Sequence, residues 1–305
     1  MGSDAEAKQT RVIRTAEASL ARGQSTCGTL AGGVELPAQG RGFERAPGKR
    51  SEHAWGHALV VESLKRSAAA VPARVPDQRI RFGDLSRAGG GAIPGHLSHQ
   101  HGLDVDVFWP LRHVSSGEPF PSLLIPLEPS GRGYDYGNLA RADDDVAVVL
   151  DAAAMWAFLD VLLQSEEPAV ARLLLAEHLR TLLLEESERL PWLSRPVVER
   201  FAEVTCQPAA PPHDDHVHIR FFCPLRDLRE GCQDPAPFYA WRVAQLREAG
   251  LPSRPAKRRR CGKTSTTSMT EARRAAGPLH DDVKAFLDRR RAWVKPPTTG
   301  RPYCR

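Results

Sequence analysis

No stretch of this 305-residue chain approaches the ~18 consecutive apolar residues that a membrane-spanning helix needs, which excludes a transmembrane helix. Aromatic residues are sparse, at 7%. None of the six cysteines (Cys27, Cys206, Cys223, Cys232, Cys261 and Cys304) forms a C-x-x-C pair, which argues against a zinc ribbon. The run Gly89-Gly90-Gly91 is not followed by Lys-Ser or Lys-Thr, so it is no phosphate cradle. No internal repeat is visible. The first residues, Met1 to Glu6, lack the basic and apolar regions of a signal peptide. With 41% hydrophobic and 26% charged residues, the composition is still that of a globular protein able to bury a core.

Glycine and proline are plentiful, 24 and 25 residues, which points to long, turn-rich loops rather than a helical bundle. Charge is divided unevenly. Residues 253–305 hold 15 Lys/Arg against 4 Asp/Glu, a net of +11, whereas the first 252 residues carry a net of −6. The block Lys257-Arg258-Arg259-Arg260 reads as a solvated basic arm. Its partner could be nucleic acid, an anionic membrane or an anionic wall polymer. The arm lacks interleaved aromatics, which disfavours nucleic acid. Cysteines in even number, scattered to both ends, suit disulfides in an oxidising compartment. The expectation is therefore a removed signal or a displaced start, against a cytosolic protein with free thiols. Cys223 and Cys232 are close enough to close a short loop; Cys27 with Cys304 and Cys206 with Cys261 are the remaining pairing.

The pattern along the chain predicts a polar, poorly ordered segment over 1–26, a main domain over 27–252 and the basic low-complexity tail over 253–305. Apolar residues at helical spacing predict helices over 55–68, 151–164 and 168–188, with a short one over 279–294. Alternation or β-branched content predicts strands over 79–83, 103–108 and 217–222, and a short one at Leu123 to Ile125 within a long loop region, 110–145. In the strand over 103–108, Asp104, Asp106 and Phe108 share one face and Leu103, Val105 and Val107 the other.

Six of the eleven histidines lie in two short windows, Gly95 to Asp106 and His213 to His218. His216 and His218 are two apart on a strand, so their side chains leave the same face, one able to bind a metal while the other serves a ligand. His99 precedes a strand that contains Asp106, and the glycine turn between them lets the two converge. Two imidazoles and one carboxylate are a familiar ligand set for catalytic zinc, with a fourth position left for water.

These residues also carry a family resemblance. Asp84-Leu85-Ser86, the Gly89–Gly91 run, and His96-Leu-Ser-His99-Gln-His-Gly102-Leu-Asp-Val-Asp106 resemble the signature of penicillin-insensitive murein endopeptidases, LAS-type zinc peptidases. His213-x-x-His216-x-His218-x-Arg220 followed by Cys223-Pro224 is similar to their second motif. The likeness runs from about residue 25 to 235. It implies an α+β fold, a small central antiparallel sheet with flanking helices and long loops. It implies Zn2+ held by His99, Asp106 and His218, with His216 as catalytic base or oxyanion donor and His213 beside it. His96 matches a position that serves a second metal, for which this chain offers Asp143 or Asp145; the alternative is a solvated acidic turn.

Arg220 is a candidate for binding a substrate carboxylate, against a structural ion pair. Asp104 is a candidate for orienting a ligand histidine, against a buried hydrogen-bonding carboxylate. His101 reads as a surface residue, and His57 as helix-start packing rather than cleft lining. The implied activity is hydrolysis of D-alanyl–meso-diaminopimelyl cross-links in peptidoglycan, in the periplasm or cell envelope. A D,D- or L,D-carboxypeptidase on the same scaffold and an inactive zinc-containing wall-binding protein are the rivals.

The basic tail is expected to aid capture of the anionic wall and to leave the chemistry alone. Neutralising Lys257, Arg258, Arg259 and Arg260 should weaken binding to intact sacculi at low salt, with kcat on a small soluble muropeptide unchanged. The difference should fade as salt shortens the Debye length from ~10 Å at 0.1 M. Identical binding with and without those charges across a salt series would exclude a wall-binding tail.

Overall fold

The computed structural model describes residues 18–295 except 49, 122–123, 209–210, 258 and 262–268. In chain order the strands are β1 (Leu20–Gln24), β2 (Cys27–Ala31), β3 (Val34–Glu35), β4 (Gln39–Gly40), β5 (Phe43–Arg45), β6 (Trp55–Gly56), β7 (Ile80–Phe82) and β8 (Asp104–Phe108), followed by β9 (Leu111–His113), β10 (Pro119–Phe120), β11 (Arg132–Asp135), β12 (Val146–Leu150), β13 (Val170–Leu174), β14 (Thr205–Cys206) and β15 (His216–Phe221). The helices are α1 (Ala58–Arg74), α2 (Ala152–Leu163), α3 (Glu177–Ser187), α4 (Arg195–Val204), α5 (Leu225–Arg229), α6 (Ala240–Glu248), α7 (Met269–Ala276) and α8 (Asp281–Trp293).

The fold is mixed α+β, as expected, but its central sheet is not small. Seven strands run in the order β14-β13-β15-β8-β7-β5-β4. Nor is it purely antiparallel: β13 with β14 and β5 with β7 are parallel pairs, and the other pairs are antiparallel. Short strands at both edges account for the difference, because two- and three-residue strands leave almost no periodic trace in sequence.

The two centre strands, β8 and β15, set the register of the site. His218 lies opposite Asp106, His216 opposite Phe108 and Arg220 opposite Asp104. Alternation puts these polar residues on one face. Val105, Val107 and Ile219 point the other way, into the core with residues of α1 and α2. Helix α1 forms because Val60, Val61, Leu64, Ala68 and Val71 make one buried stripe, and His57 Nδ1 accepts from Leu59 N at 3.2 Å to cap its start. Helix α2 is apolar nearly all round and accordingly buried, with Asp151 capping it by accepting from Ala154 N at 3.0 Å. Phe82 of β7 meets Phe158 of α2 with ring centroids 5.9 Å apart, tying sheet to helix.

Four expectations fail in instructive ways. The helix over 168–188 is a strand and then a helix: β13 has all five residues buried, and only 177–187 turn into α3. A short apolar run flanked by proline fits a buried strand as well as a helix, and pairing with β15 decides it. The loop region 110–145 holds β9, β10 and β11, which with β12 form a second, four-stranded antiparallel sheet in the order β10-β9-β12-β11. The strand placed at 123–125 falls partly outside the described residues, and Leu124 and Ile125 are not in a strand. Strand β1 lies within the segment read as poorly ordered and pairs with β2 across Gln24 and Cys27.

The tail is not a free arm in its described part. Gln24 Nε2 donates to Lys257 O at 2.7 Å, Arg259 N donates to Gln24 Oε1 at 2.8 Å, and Cys261 N donates to Thr26 O at 3.0 Å. A disulfide joins Cys27 to Cys261, which replaces both the Cys27–Cys304 and the Cys206–Cys261 pairing. Cys223–Cys232 is paired as expected. Cys206 is also disulfide-bonded.

Peptide mapping without reduction should therefore recover Cys27 linked to Cys261 and Cys223 linked to Cys232. Replacing both Cys223 and Cys232 by Ala should cost about 2–3 kcal/mol of stability, the scale for a loop of this length, read as a lower denaturation midpoint. Recovery of a Cys27–Cys304 peptide would contradict the described pairing.

Candidate metal centre

The site is assembled from the loop that ends in β8 and from the facing strand β15. His99 sits in the left-handed region, with φ of 67°, and Gly102 follows at φ of 76°. A Cβ on Gly102 would lie 2.9 Å from His57 N, so the turn that delivers His99 to the sheet requires glycine there.

Three atoms from the two windows converge. His218 Nδ1 is 3.1 Å from Asp106 Oδ1 and 3.2 Å from His99 Nε2, and His99 Nε2 is 3.3 Å from Asp106 Oδ1. The other nitrogen of each ring is held by an acceptor. His99 Nδ1 donates to Leu85 O at 2.6 Å, and His218 Nε2 donates to Asp104 Oδ1 at 2.9 Å. Each ring is thereby held with its other nitrogen turned toward Asp106. Two imidazole nitrogens and a carboxylate oxygen facing one another are a donor set able to take a cation.

The spacing fits as well. Zinc–ligand distances of ~2.0–2.1 Å in tetrahedral geometry place neighbouring ligand atoms about 3.3 Å apart, against triangle edges of 3.1, 3.2 and 3.3 Å. His96, His99 and Asp106 form a second threesome, with ligand atoms within 4.8 Å of one another. It is the looser set. His96 Nδ1 stands 3.7 Å from Asp106 Oδ2, and its Nε2 is held by Asp84 Oδ2 at 3.1 Å.

Charge balance holds the centre ionised. Burial would raise the Asp106 carboxyl, but His99, His216 and His218 drive it well below the usual carboxylate range. Burial likewise opposes ionisation of Asp104, and Arg220 and His218 overcome it. Asp104 is fully buried and accepts from Arg220 Nε at 2.7 Å. Asp104 is thus a buried carboxylate hydrogen-bonded to both His218 and Arg220.

His216 lies beside the triangle. Its Nε2 is 3.5 Å from Asp106 Oδ1, and its Nδ1 is 2.7 Å from Asp215 Oδ1. Burial lowers its pKa, but Asp106 and Asp215 outweigh that and raise it to about 10. A cation on Asp106 would take over that neutralising role. The His213 ring centroid is 4.8 Å from that of His216. Burial, with His216 and His218 adding to it, pushes His213 down to about 3, so it is a neutral imidazole.

Other residues are placed less simply. His57 is buried and caps α1, with Nε2 also 3.1 Å from Ser19 O, as the packing reading expects. His101 is not a surface residue: it is 3% exposed, with Nδ1 4.0 Å from Asp104 Oδ2. The contacts of His96 run to Asp84 and Asp106, whereas Asp143, 68% exposed, meets Arg141 and Asp145 meets His280. Four contributors were not singled out from sequence. Asp215 could have been, as the neighbour of His216. Leu85 lies in the Asp84-Leu85-Ser86 motif without its carbonyl's role being readable there, and His53, 3.3 Å from Asp84 Oδ1, leaves no sequence signal. Nor does Arg290 of α8, whose Nε and Nη2 both donate to Asp214 at 2.7 Å. The tail therefore does not stand apart from the second histidine window.

A buried histidine–aspartate centre on a mixed sheet, able to hold a metal ion, is the class of site this fold builds. The comparisons agree with the resemblance carried by the motifs. Residues 21–121 match the penicillin-insensitive murein endopeptidase family. A curated Haemophilus influenzae protein of that name is 25% identical over 219 residues, covering 70% of this chain and 67% of its own length. The family match includes His96, His99 and Asp106.

His101 gives the site a pH signature. Burial pushes its imidazole from 6.5 down to about 4. In chelated protein, stability should be full above pH 6.5 and fall as the pH drops from 6.5 toward 4, because only the unfolded chain takes up that proton. The loss approaches about 3 kcal/mol. In urea titrations, His101→Gln should remove one proton's worth of slope from that window; equal slopes would place the titration elsewhere.

Proposed function

We propose that the chain is a zinc-dependent endopeptidase that hydrolyses D-alanyl–meso-diaminopimelyl cross-links of peptidoglycan. Murein endopeptidase function is supported by the family match and by the distant H. influenzae relative. The observation that carries the metal assignment is the near-equilateral triangle of His99 Nε2, Asp106 Oδ1 and His218 Nδ1.

His99, Asp106 and His218 would hold the ion, which when bound supplies Lewis-acid activation of water and of the scissile carbonyl. Leu85 O and Asp104 keep the two ligand rings oriented. His216, steadied at Nδ1 by Asp215, presents Nε2–H to the oxyanion that develops on the carbonyl. His213, a neutral imidazole whose ring packs against those of His216 and His218, lines the site beside them. No serine nucleophile takes part, so β-lactams should not acylate the protein.

A carboxypeptidase needs a cation for a free substrate carboxylate. Arg220 is the motif-linked one, and its engagement by Asp104 favours the endopeptidase. The described disulfides suit an oxidising compartment, and no described helix is long and apolar enough to cross a membrane. The reading is therefore of a periplasmic or cell-envelope enzyme.

Two variants separate binding from chemistry. His218→Ala should lose stoichiometric zinc by elemental analysis and all release of monomers from purified cross-linked dimers. His216→Ala should keep its zinc and lose ~10²-fold or more in kcat. Full zinc in the first, or a near wild-type rate in the second, would show the roles to be misassigned.

A further inference from the structure

A second cluster lies away from the polar face of β8 and β15. Asp145, the residue before β12, and His280 and Asp282, at the start of α8, offer ligand atoms all within 4.8 Å of one another. The cluster is not merely acidic. The His280 side chain is 10% exposed, and among the described residues neither of its ring nitrogens has a hydrogen-bond partner. Its Nε2 faces Asp145 Oδ2 at 3.4 Å, and Asp145 Oδ1 is also buried without a partner. A buried imidazole that makes no hydrogen bond, with only the 3.4 Å approach to Asp145 to offset its burial, is costly unless something is bound there.

The ring is held in this position rather than left to swing. His280 N donates to Leu139 O at 2.8 Å, and the Tyr136 ring packs edge-on with centroids 5.5 Å apart. Negative charge accumulates around it: burial, then Asp144 and Asp145, raises the nearby Asp135 carboxyl. Asp282 lies in the first turn of α8.

We propose that Asp145, His280 and Asp282 bind a divalent transition-metal ion of the zinc class, which clamps α8 to the β11–β12 side of the molecule. One imidazole with two carboxylates suits zinc and its neighbours, whereas calcium and magnesium prefer all-oxygen sets. The clamp has a structural target. Helix α8 carries Arg290 to Asp214, next to His213, and Arg289 to Glu128 at 2.9 Å. An ion at the start of α8 would keep those arginines in register on the body.

The full-length protein, loaded with zinc and freed of excess, should contain two zinc ions per chain. His280→Gln and Asp145→Asn should each retain one, His218→Ala should retain one, and the His218→Ala/His280→Gln double variant none. Millimolar magnesium or calcium should not displace the second ion. Trypsin should cut at Arg289 to Arg291 at least tenfold faster in His280→Gln and Asp145→Asn, and added zinc should not restore protection. Two zinc ions retained in both of these variants would overturn the clamp. So would a single wild-type zinc that His218→Ala removes. A single zinc removed by His280→Gln but kept in His218→Ala would support the clamp and overturn the zinc assignment of the proposed function instead.

Discussion

Two carboxylates buried side by side on one face of a central strand are an electrostatic liability, and much of this molecule is organised around neutralising them. Asp104 and Asp106 both stay ionised against the penalty of burial because the opposing strand brings cations and imidazoles into register. Asp104 takes Arg220 and His218; Asp106 takes His99, His216 and His218. The arrangement is a network rather than a set of pairs. Moving one strand by a single residue would turn the whole partner set to the apolar face and leave two unpaired charges in the core.

The division of labour between the two aspartates explains why they are not equivalent. Asp104 has no exposure and spends its oxygens on orienting others. Asp106 shares one oxygen among three histidines, each presenting a nitrogen within 3.5 Å. The former is a structural anion and the latter a multidentate acceptor, though the two are only two residues apart on one strand.

The parts of this site legible in sequence were those governed by short-range periodicity. Alternation alone places Asp104 with Asp106 and His216 with His218, and the buried stripes of α1 and α2 are visible as spacing. Contributions made by the backbone were not legible: the Leu85 carbonyl that fixes His99 looks like any other peptide group. His101 was misread because a polar residue in a turn reads as exposed, and only the packing of β1, β2 and the tail against that turn buries it. The strand β13 was misread because its burial on both faces removes the polar alternation that distinguishes a strand from a helix. The tail's attachment was hidden because basic composition says nothing about which backbone amides will pair.

The triangle of His99, Asp106 and His218 joins residues far apart along the chain, His218 lying 112 positions after Asp106. A polypeptide made from its N-terminus therefore holds His99 and Asp106 long before their third partner exists. Until β15 docks beside β8, Asp106 lacks two of its three histidines and Asp104 lacks its arginine. An unfinished or truncated chain has an acidic strand with no reason to be buried. The complete histidine–aspartate centre thus arrives late and all at once, when most of the chain has been made.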